Sequence, residues 1–408
     1  MERNLEAEFE THFGRDLAEV TQDTDGIAQT LARMGAETNT SPAVLWVIPR
    51  ETHLHLVLIT PNGKPVVFDQ FDVPKEKLTA IANQFTQSIS NPRRTPNIKA
   101  AQQLHKWIIE PFEADLLRGV GVDTLLFCLG DGLRSLPLAA LHDGEQFLIE
   151  KYSLSKIPAF NLISTEYETI QQGGLLAMGA SEFLNQNPLP AVPAELQLIL
   201  QQLRSVKSPR EEWSALSLLN QDFTQTNLEA ILQSRSFDIV HLATHADFQA
   251  GTPAESYIQF SDGKLHLQDL NRFAWQKAAA PAVELLVLSA CRTAFGDSEA
   301  ELGFAGVALQ AGVKSAIASL WYISDVGTLA FMGDLYRELS LNTTKAEALR
   351  QTQIKMLRNE ISFNDAGLKL SSGQTIPLSD GLQQQSRFIS SLAHPYYWAG
   401  FSMISSPW

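Results

Sequence analysis

Two stretches decide the fold of this chain: Asp238-Ile-Val-His-Leu-Ala-Thr-His245 and Glu284-Leu-Leu-Val-Leu-Ser-Ala-Cys291. Each is a short apolar run that reads as a strand and ends on a residue able to move a proton. In an open parallel sheet, ligands and reactive groups gather at the carboxyl ends of the strands. His245 and Cys291 are therefore expected where neighbouring strands deliver their last residues to one edge. The residues between them leave room for a hairpin, whose turn is Ser261-Asp-Gly-Lys264, and one crossover helix.

Outward from this pair, strands and helices alternate, the pattern of parallel strands with crossover helices. Further strands are predicted at Leu175-Leu-Ala-Met178 and Ser315-Ala-Ile-Ala-Ser-Leu320, with helices near 193–204, 227–234, 301–311, 325–339 and 345–358. Thr226 with Glu229, and Thr344 with Glu347, read as capping boxes. The earlier half carries strand patterns at Ala43–Ile48, His53–Ile59, Pro65–Phe68 and Thr124–Cys128, and helices near 75–90 and 97–117. Asn62-Gly63 is a hairpin signal between two of these strands. The paired glycines of Ile170-Gln-Gln-Gly-Gly174 suit a joint between halves. An aromatic strand over Tyr396–Met403 is predicted to close the chain. Residues 1–42 read as a polar helical segment, 43–172 as one α/β half and 173–408 as a second.

The 408 residues are 44% hydrophobic and 19% charged, enough apolar material for a large core. The formal charge of −14, from 31 basic against 45 acidic side chains, repels phosphate backbones. Asn91-Pro92-Arg93-Arg94 is the densest basic spot, so nucleic acid is not an expected partner. No window approaches a membrane span, and the amino terminus has no signal-peptide core. Two cysteines, Cys128 and Cys291, are too few for a disulfide scaffold and too far apart for a zinc knuckle. A reducing, cytoplasmic setting is expected, where a lone thiol stays reactive.

A thiol beside an imidazole has a specific chemistry. The imidazole accepts the thiol proton and raises the thiolate fraction. The thiolate attacks a carbonyl, the imidazolium protonates the departing amine, and strand-end N–H groups stabilise the oxyanion. The N–H groups of Cys291 and Ala246 are the expected donors. A cysteine ending a buried strand is more often an inert small hydrophobe, and that is the reading for Cys128, which has no His-bearing strand just before it. His241 is expected as a hydrogen-bonded core group.

His241-Leu-Ala-Thr-His245 followed by Leu286-Val-Leu-Ser-Ala-Cys-Arg-Thr293 resembles the signature of the CHAT domain, a group of bacterial relatives of caspases and separases. The resemblance extends to Gly130-Asp-Gly-Leu-Arg-Ser-Leu-Pro-Leu-Ala-Ala-Leu-His-Asp-Gly144, Leu148–Lys151, Gly303–Gly306, Ala311-Gly312, Ser319-Leu-Trp321 and His394-Pro-Tyr-Tyr-Trp398, over about 43 to 408. It implies a caspase-haemoglobinase-like α/β fold: a central, mostly parallel sheet flanked by helices, with an inactive pseudo-caspase half before a catalytic half. It implies His245 and Cys291 as a catalytic dyad and needs no metal or organic cofactor. It also gives Asp325 a role in the S1 pocket, where a carboxylate favours Arg or Lys at P1 by charge pairing. The competing role for Asp325 is the first turn of a helix, where its charge suits the dipole.

Two departures stand out. The residue after the histidine is usually Gly in this family and is Ala246 here. Asp297, Glu299 and Glu301 follow the cysteine closely and read as a solvated approach to a helix. The expected function is a cysteine endopeptidase acting on specific protein substrates after a basic residue, with a regulatory protein as a further partner. The alternative is a catalytically silent or latent scaffold that binds partner proteins. The polar stretch from Arg358 to Ala393, with Lys369 and Arg387, is expected to be loop-like and to offer a self-cleavage site.

Overall fold

The computed structural model describes residues 1–408 except 18–20, 62, 169, 171–172, 206–212, 274, 276–281, 294–296 and 343, and except the side chains of 115–116, 205, 290–293 and 298. Asn62, Gln171 and Gln172, and with them part of the expected hairpin turn and joint, lie outside the described residues.

The first half supplies β1 (Pro42–Pro49), β2 (Leu54–Ile59), β3 (Val66–Gln70), β4 (Thr124–Leu129) and β5 (Ser153–Ile157). The second supplies β6 (Gly174–Gly179), β7 (Ser214–Leu219), β8 (Ile239–Phe248), β9 (Tyr257–Phe260), β10 (Gly263–His266), β11 (Leu285–Thr293) and β12 (Ser315–Ser319). Three short strands, β13 (Ser362–Asn364), β14 (Gly367–Lys369) and β15 (Thr375–Ile376), form a separate small sheet, and β16 (Phe401–Ser405) ends the chain.

One large sheet runs through both halves in the order β10-β9-β8-β11-β12-β16-β5-β4-β1-β2-β3, with β6 and β7 branching from β8. Within each half the central strands are parallel: β1, β4 and β5 in one, β7, β6, β8, β11 and β12 in the other. β4 and β12 are buried on both faces, as their near-continuous apolar sequences require, whereas β7 at the outer side of β6 is partly exposed. The seam is β16, antiparallel to β12 on one side and parallel to β5 on the other. It begins later than the aromatic pattern suggests. Pro395 cannot donate to a ladder, and Pro395–Tyr397 folds as a 3-10 turn instead.

Helix starts follow the capping logic with one shift. Thr344 accepts from the Glu347 N–H, as expected. The earlier cap is Thr224, which accepts from Asn227, and not Thr226. The crossover between β8 and β11 holds the β9–β10 hairpin and, among the described residues, only the 3-10 turn Leu267–Arg272 in place of a full helix. The stretch 358–393 is not loop-like: it carries the small sheet and the helix Asp380–Ser386, with Lys369 and Arg387 exposed.

The amino-terminal helices Glu2–Phe13 and Thr24–Thr38 cover one face of the first-half sheet. Leu5, Phe9, Ile27, Leu31 and Met34 pack there with Trp46, Cys128 and Phe160. Burial of each such side chain is worth about 1.5–3 kcal/mol. A polar cluster joins the halves behind them. Ser135 Oγ donates to Glu301 Oε1 at 2.5 Å, the Arg134 N–H reaches Glu301 Oε2 at 3.2 Å, and Lys156 Nζ donates to the Arg134 carbonyl at 3.0 Å. Burial pushes the Glu301 carboxyl up and the Lys156 ammonium down to about 7. Glu301 is thus a buried strut rather than part of a solvated acidic approach. Asp297 caps its helix, and only Glu299 of the three is exposed.

Candidate active site

β8 and β11 lie side by side and parallel, in the register Leu288↔Leu242, Ala290↔His245 and Cys291↔Ala246. Two steps on β11 match three on β8 across Leu288 to Ala290, an irregularity in the ladder. Such extra residues re-aim side chains and recur beside active sites. His245 consequently stands one register step from Cys291. Both strands continue past these residues, to Phe248 and Thr293, so the pair sits on strand extensions instead of at strand ends. The side chain of Cys291 lies outside the described residues.

His245 is half-buried, and its Nε2 lies 2.8 Å from the carbonyl oxygen of Asn187. The Phe183 ring tilts against the imidazole with centroids 4.8 Å apart. Both contacts come from the segment 180–191, which leaves β6 and crosses toward β8. Gly179 is needed at that exit: a Cβ there would stand 2.6 Å from the Ala243 carbonyl oxygen. The segment is closed on itself by the Leu189 N–H donating to the Ser181 carbonyl at 3.0 Å. It is anchored by buried Leu189 and by the Ser181 N–H on Asn220 Oδ1 at 2.8 Å, while Leu184 at its tip is fully exposed.

The same segment ends on Asp325. The Ala191 N–H donates to Asp325 Oδ2 at 2.6 Å, just before the helix Val192–Ser205. Asp325 opens the helix Asp325–Leu341, capped by Ser324, so the first-turn role holds. Burial drives its carboxyl up to about 7, against the lowering effect of the Ala191 amide and with a smaller push from Glu195. The segment therefore engages both the expected base and the expected pocket carboxylate.

Ala246 is paired with Cys291 on one side and Ile258 of β9 on the other, and it does not adopt positive φ. Alanine in place of the family's usual glycine is accordingly without backbone strain. His241 is a core group: fully buried, with Nδ1 2.9 Å from the Tyr336 hydroxyl and Nε2 3.0 Å from Glu195 Oε1. Cys128 is fully buried, and burial raises its thiol well above the ordinary range. Its register neighbours are Trp46 and Ile157.

Sequence reasoning missed Asn187 and Phe183. The only local signal was a polar run, Asn185-Gln-Asn-Pro188, following the apolar pair Phe183-Leu184. Among the described residues one group has the donors to hold a metal ion: His53, His55 and Asp69, at the far edge of the sheet. No described helix is long and apolar enough to cross a membrane.

Two crystal structures of the Saccharomyces cerevisiae separase–securin complex resemble this fold. Each has a TM-score of 0.51 at 11% identity, over 93% and 94% of this chain and 31% of the matched one. This chain thus spans about a third of the length of the chains it matches. A complex of the pro- and mature domains of Porphyromonas gingivalis RgpB aligns at a TM-score of 0.42 and 11% identity, over 89% of this chain and 78% of that one. At such identities the likeness concerns fold alone, and the architecture is of the caspase-haemoglobinase class. No curated protein matches the sequence. The family model for the CHAT domain matches residues 99–406, three-quarters of the sequence, and the chain belongs to the CHAT domain family.

Proposed function

We propose that this chain is a cysteine endopeptidase with Cys291 as nucleophile and His245 as its base. The observation that carries the reading is the register of β8 and β11, which sets the two residues one step apart on adjoining parallel strands. In the proposed reaction the Cys291 thiolate attacks the scissile carbonyl and His245 holds the thiol proton. The backbone N–H groups of Ala246 and Cys291 receive the oxyanion charge. Collapse breaks the C–N bond, the proton passes from His245 to the amine, and water hydrolyses the acyl-thioester to restore the thiol. Asp325 is the proposed S1 carboxylate and selects Arg or Lys at P1. The division into 1–42, a pseudo-caspase half 43–172 and a catalytic half 173–408 belongs to this reading, as does a bacterial, cytoplasmic setting.

One observation favours latency. Segment 180–191 occupies one nitrogen of His245 through Asn187 and hydrogen-bonds Asp325 through Ala191. A resting enzyme released by a regulatory partner fits this closure, and separase itself is seen in complex with another protein, securin. The alternative, a silent scaffold binding partner proteins, shares the closure without the chemistry.

The deciding experiment is hydrolysis of fluorogenic peptides with Arg, Lys, Asp, Leu or Met at P1, using the parent and the variants Cys291→Ala and His245→Ala. Cleavage after Arg or Lys that disappears in both variants supports the dyad. Silence across the panel, together with no labelling of Cys291 by an arginyl chloromethyl ketone, counts against a constitutively active enzyme and leaves either a latent enzyme awaiting its partner or the scaffold.

A further inference from the structure

The far edge of the sheet carries a second constellation, unrelated to the dyad. His53 immediately precedes β2, His55 lies on β2, and the intervening Leu54 is fully buried in the core. Strand alternation therefore sends both imidazoles to the face opposite Leu54. Asp69 of β3 is the cross-strand register partner of His55, so its carboxylate reaches the same face. Asp69 Oδ1 lies 2.6 Å from His55 Nδ1 and 3.6 Å from His53 Nε2, and the three donor atoms all fall within 4.8 Å of one another. The three side chains are a quarter to a third exposed, open enough for an ion to enter.

The orientation of His53 matters most. Its Nδ1 lies 3.0 Å from the Thr52 hydroxyl, a contact that holds the ring with Nε2 turned toward Asp69. With Nδ1–H donating to that hydroxyl, Nε2 presents its lone pair toward Asp69 Oδ1, outside hydrogen-bonding distance. A nitrogen lone pair, a carboxylate oxygen and a second imidazole then converge on one small volume. In that tautomer the two electron-rich atoms are drawn together by a shared cation, a proton or a metal ion. A tetrahedral ion with arms of about 2.0–2.1 Å places its donors roughly 3.3 Å apart. Small rotations of these partly exposed rings would bring the set to that spacing.

We propose that His53, His55 and Asp69 bind a divalent transition-metal ion of the zinc type, with water completing the shell. Two imidazoles and one carboxylate suit zinc, nickel or cobalt and not magnesium or calcium, which seek shells of oxygen donors. The ion clasps the open end of the β2–β3 hairpin, where β3 is the edge strand among the described residues. Its task at that edge is to hold β3 in register.

The test uses the full chain freed of any polyhistidine tag and dialysed against chelator, in a Cys291→Ala background so that the dyad does not compete for the ion. Zn2+ is titrated against a chromophoric chelator, and thermal unfolding is followed with Zn2+, Mg2+ or EDTA. One equivalent of Zn2+ is expected to bind at micromolar concentration or tighter and to raise the unfolding temperature, with no effect of Mg2+. His53→Ala, His55→Gln and Asp69→Asn should each weaken Zn2+ binding about tenfold or more, while His142→Ala leaves it unchanged. His55→Gln can still hydrogen-bond Asp69, and matching unfolding temperatures in EDTA separate lost ligation from lost folding. Zn2+ binding that persists undiminished in all three variants, or no stoichiometric binding by the parent, overturns the site.

Discussion

The two cysteines occupy equivalent places in the two halves, near the carboxyl ends of central parallel strands, and their surroundings differ in one respect that matters. Cys128 on β4 is flanked by Trp46 of β1 and Ile157 of β5. The amino-terminal helices also cover it, and burial holds its proton on. Cys291 on β11 is flanked by Ala246 of β8, one step from His245, on an irregular stretch of ladder. The same strand position thus gives an inert core residue in one half and a candidate nucleophile in the other. What changes is the adjoining strand: it supplies apolar bulk to Cys128 and an imidazole beside Cys291. A position late in a parallel strand offers a place for chemistry, and the adjoining strand separates the inert thiol from the candidate nucleophile.

The sharpest way to break this contrast is by rate. Cys291→Ala and His245→Ala should each lower kcat/KM on the best basic-P1 peptide by about a thousandfold or more. Cys128→Ala should stay within about twofold of the parent. Equal loss in Cys128→Ala, with the fold intact by circular dichroism, would end the comparison. Next in size is thiol reactivity. Under native conditions at neutral pH, peptide mass spectrometry should find Cys291 alkylated about a hundredfold faster than Cys128, the difference vanishing in denaturant.

Asp325 extends the test to specificity. Asp325→Asn should cut the preference for Arg over Leu at P1 by about tenfold, read as a ratio of kcat/KM values. The pH dependence has a definite sign. The folded carboxyl titrates at about 7, above its ordinary 3.8, so the native state binds this proton more tightly than the unfolded chain. Its stabilising contribution is present in full below the unfolded value and is lost as pH rises through about 7. Urea midpoints should therefore fall less between pH 5 and 8 in Asp325→Asn than in the parent, while the parent's preference for Arg grows over the same range.

Smaller effects concern packing. Cys128→Ser should cost about 1–3 kcal/mol in urea unfolding, because a hydroxyl replaces a thiol at a fully buried position among apolar side chains. Thr344→Ala, which removes the cap from the helix Lys345–Leu357, should cost about 1 kcal/mol.

β8, β11 and the placement of His245 were legible because continuous apolar runs leave few alternatives to buried strands. β5 and β7 were not. Ser153-Leu-Ser-Lys-Ile157 and Ser214-Ala-Leu-Ser-Leu-Leu219 mix polar residues into their runs. The buried Lys156 donates to a carbonyl that arrives from another loop, and its ammonium lies over the Phe304 ring, both distant in sequence. Glu301 misled for the same reason: its partners Ser135 and Arg134 lie far away in sequence. Segment 180–191 shows a more basic limit. Beyond the Phe183 ring, its hydrogen bonds to His245 and Asp325 are made by the carbonyl of Asn187 and the amide of Ala191, groups that nearly every residue carries. Contacts made by backbone leave almost no mark on side-chain identity.

The position of β16 changes how a cut in this molecule would be noticed. The strand is hydrogen-bonded to β12 and β5, Trp398 just ahead of it is fully buried, and Gln353 Nε2 donates to the carbonyls of Trp398 and Phe401. A chain severed anywhere between Arg358 and Ala393 keeps its last piece sewn into the middle of the sheet. Such a nicked molecule migrates as one body in gel filtration, sheds no fragment, and discloses its two pieces only when boiled in detergent.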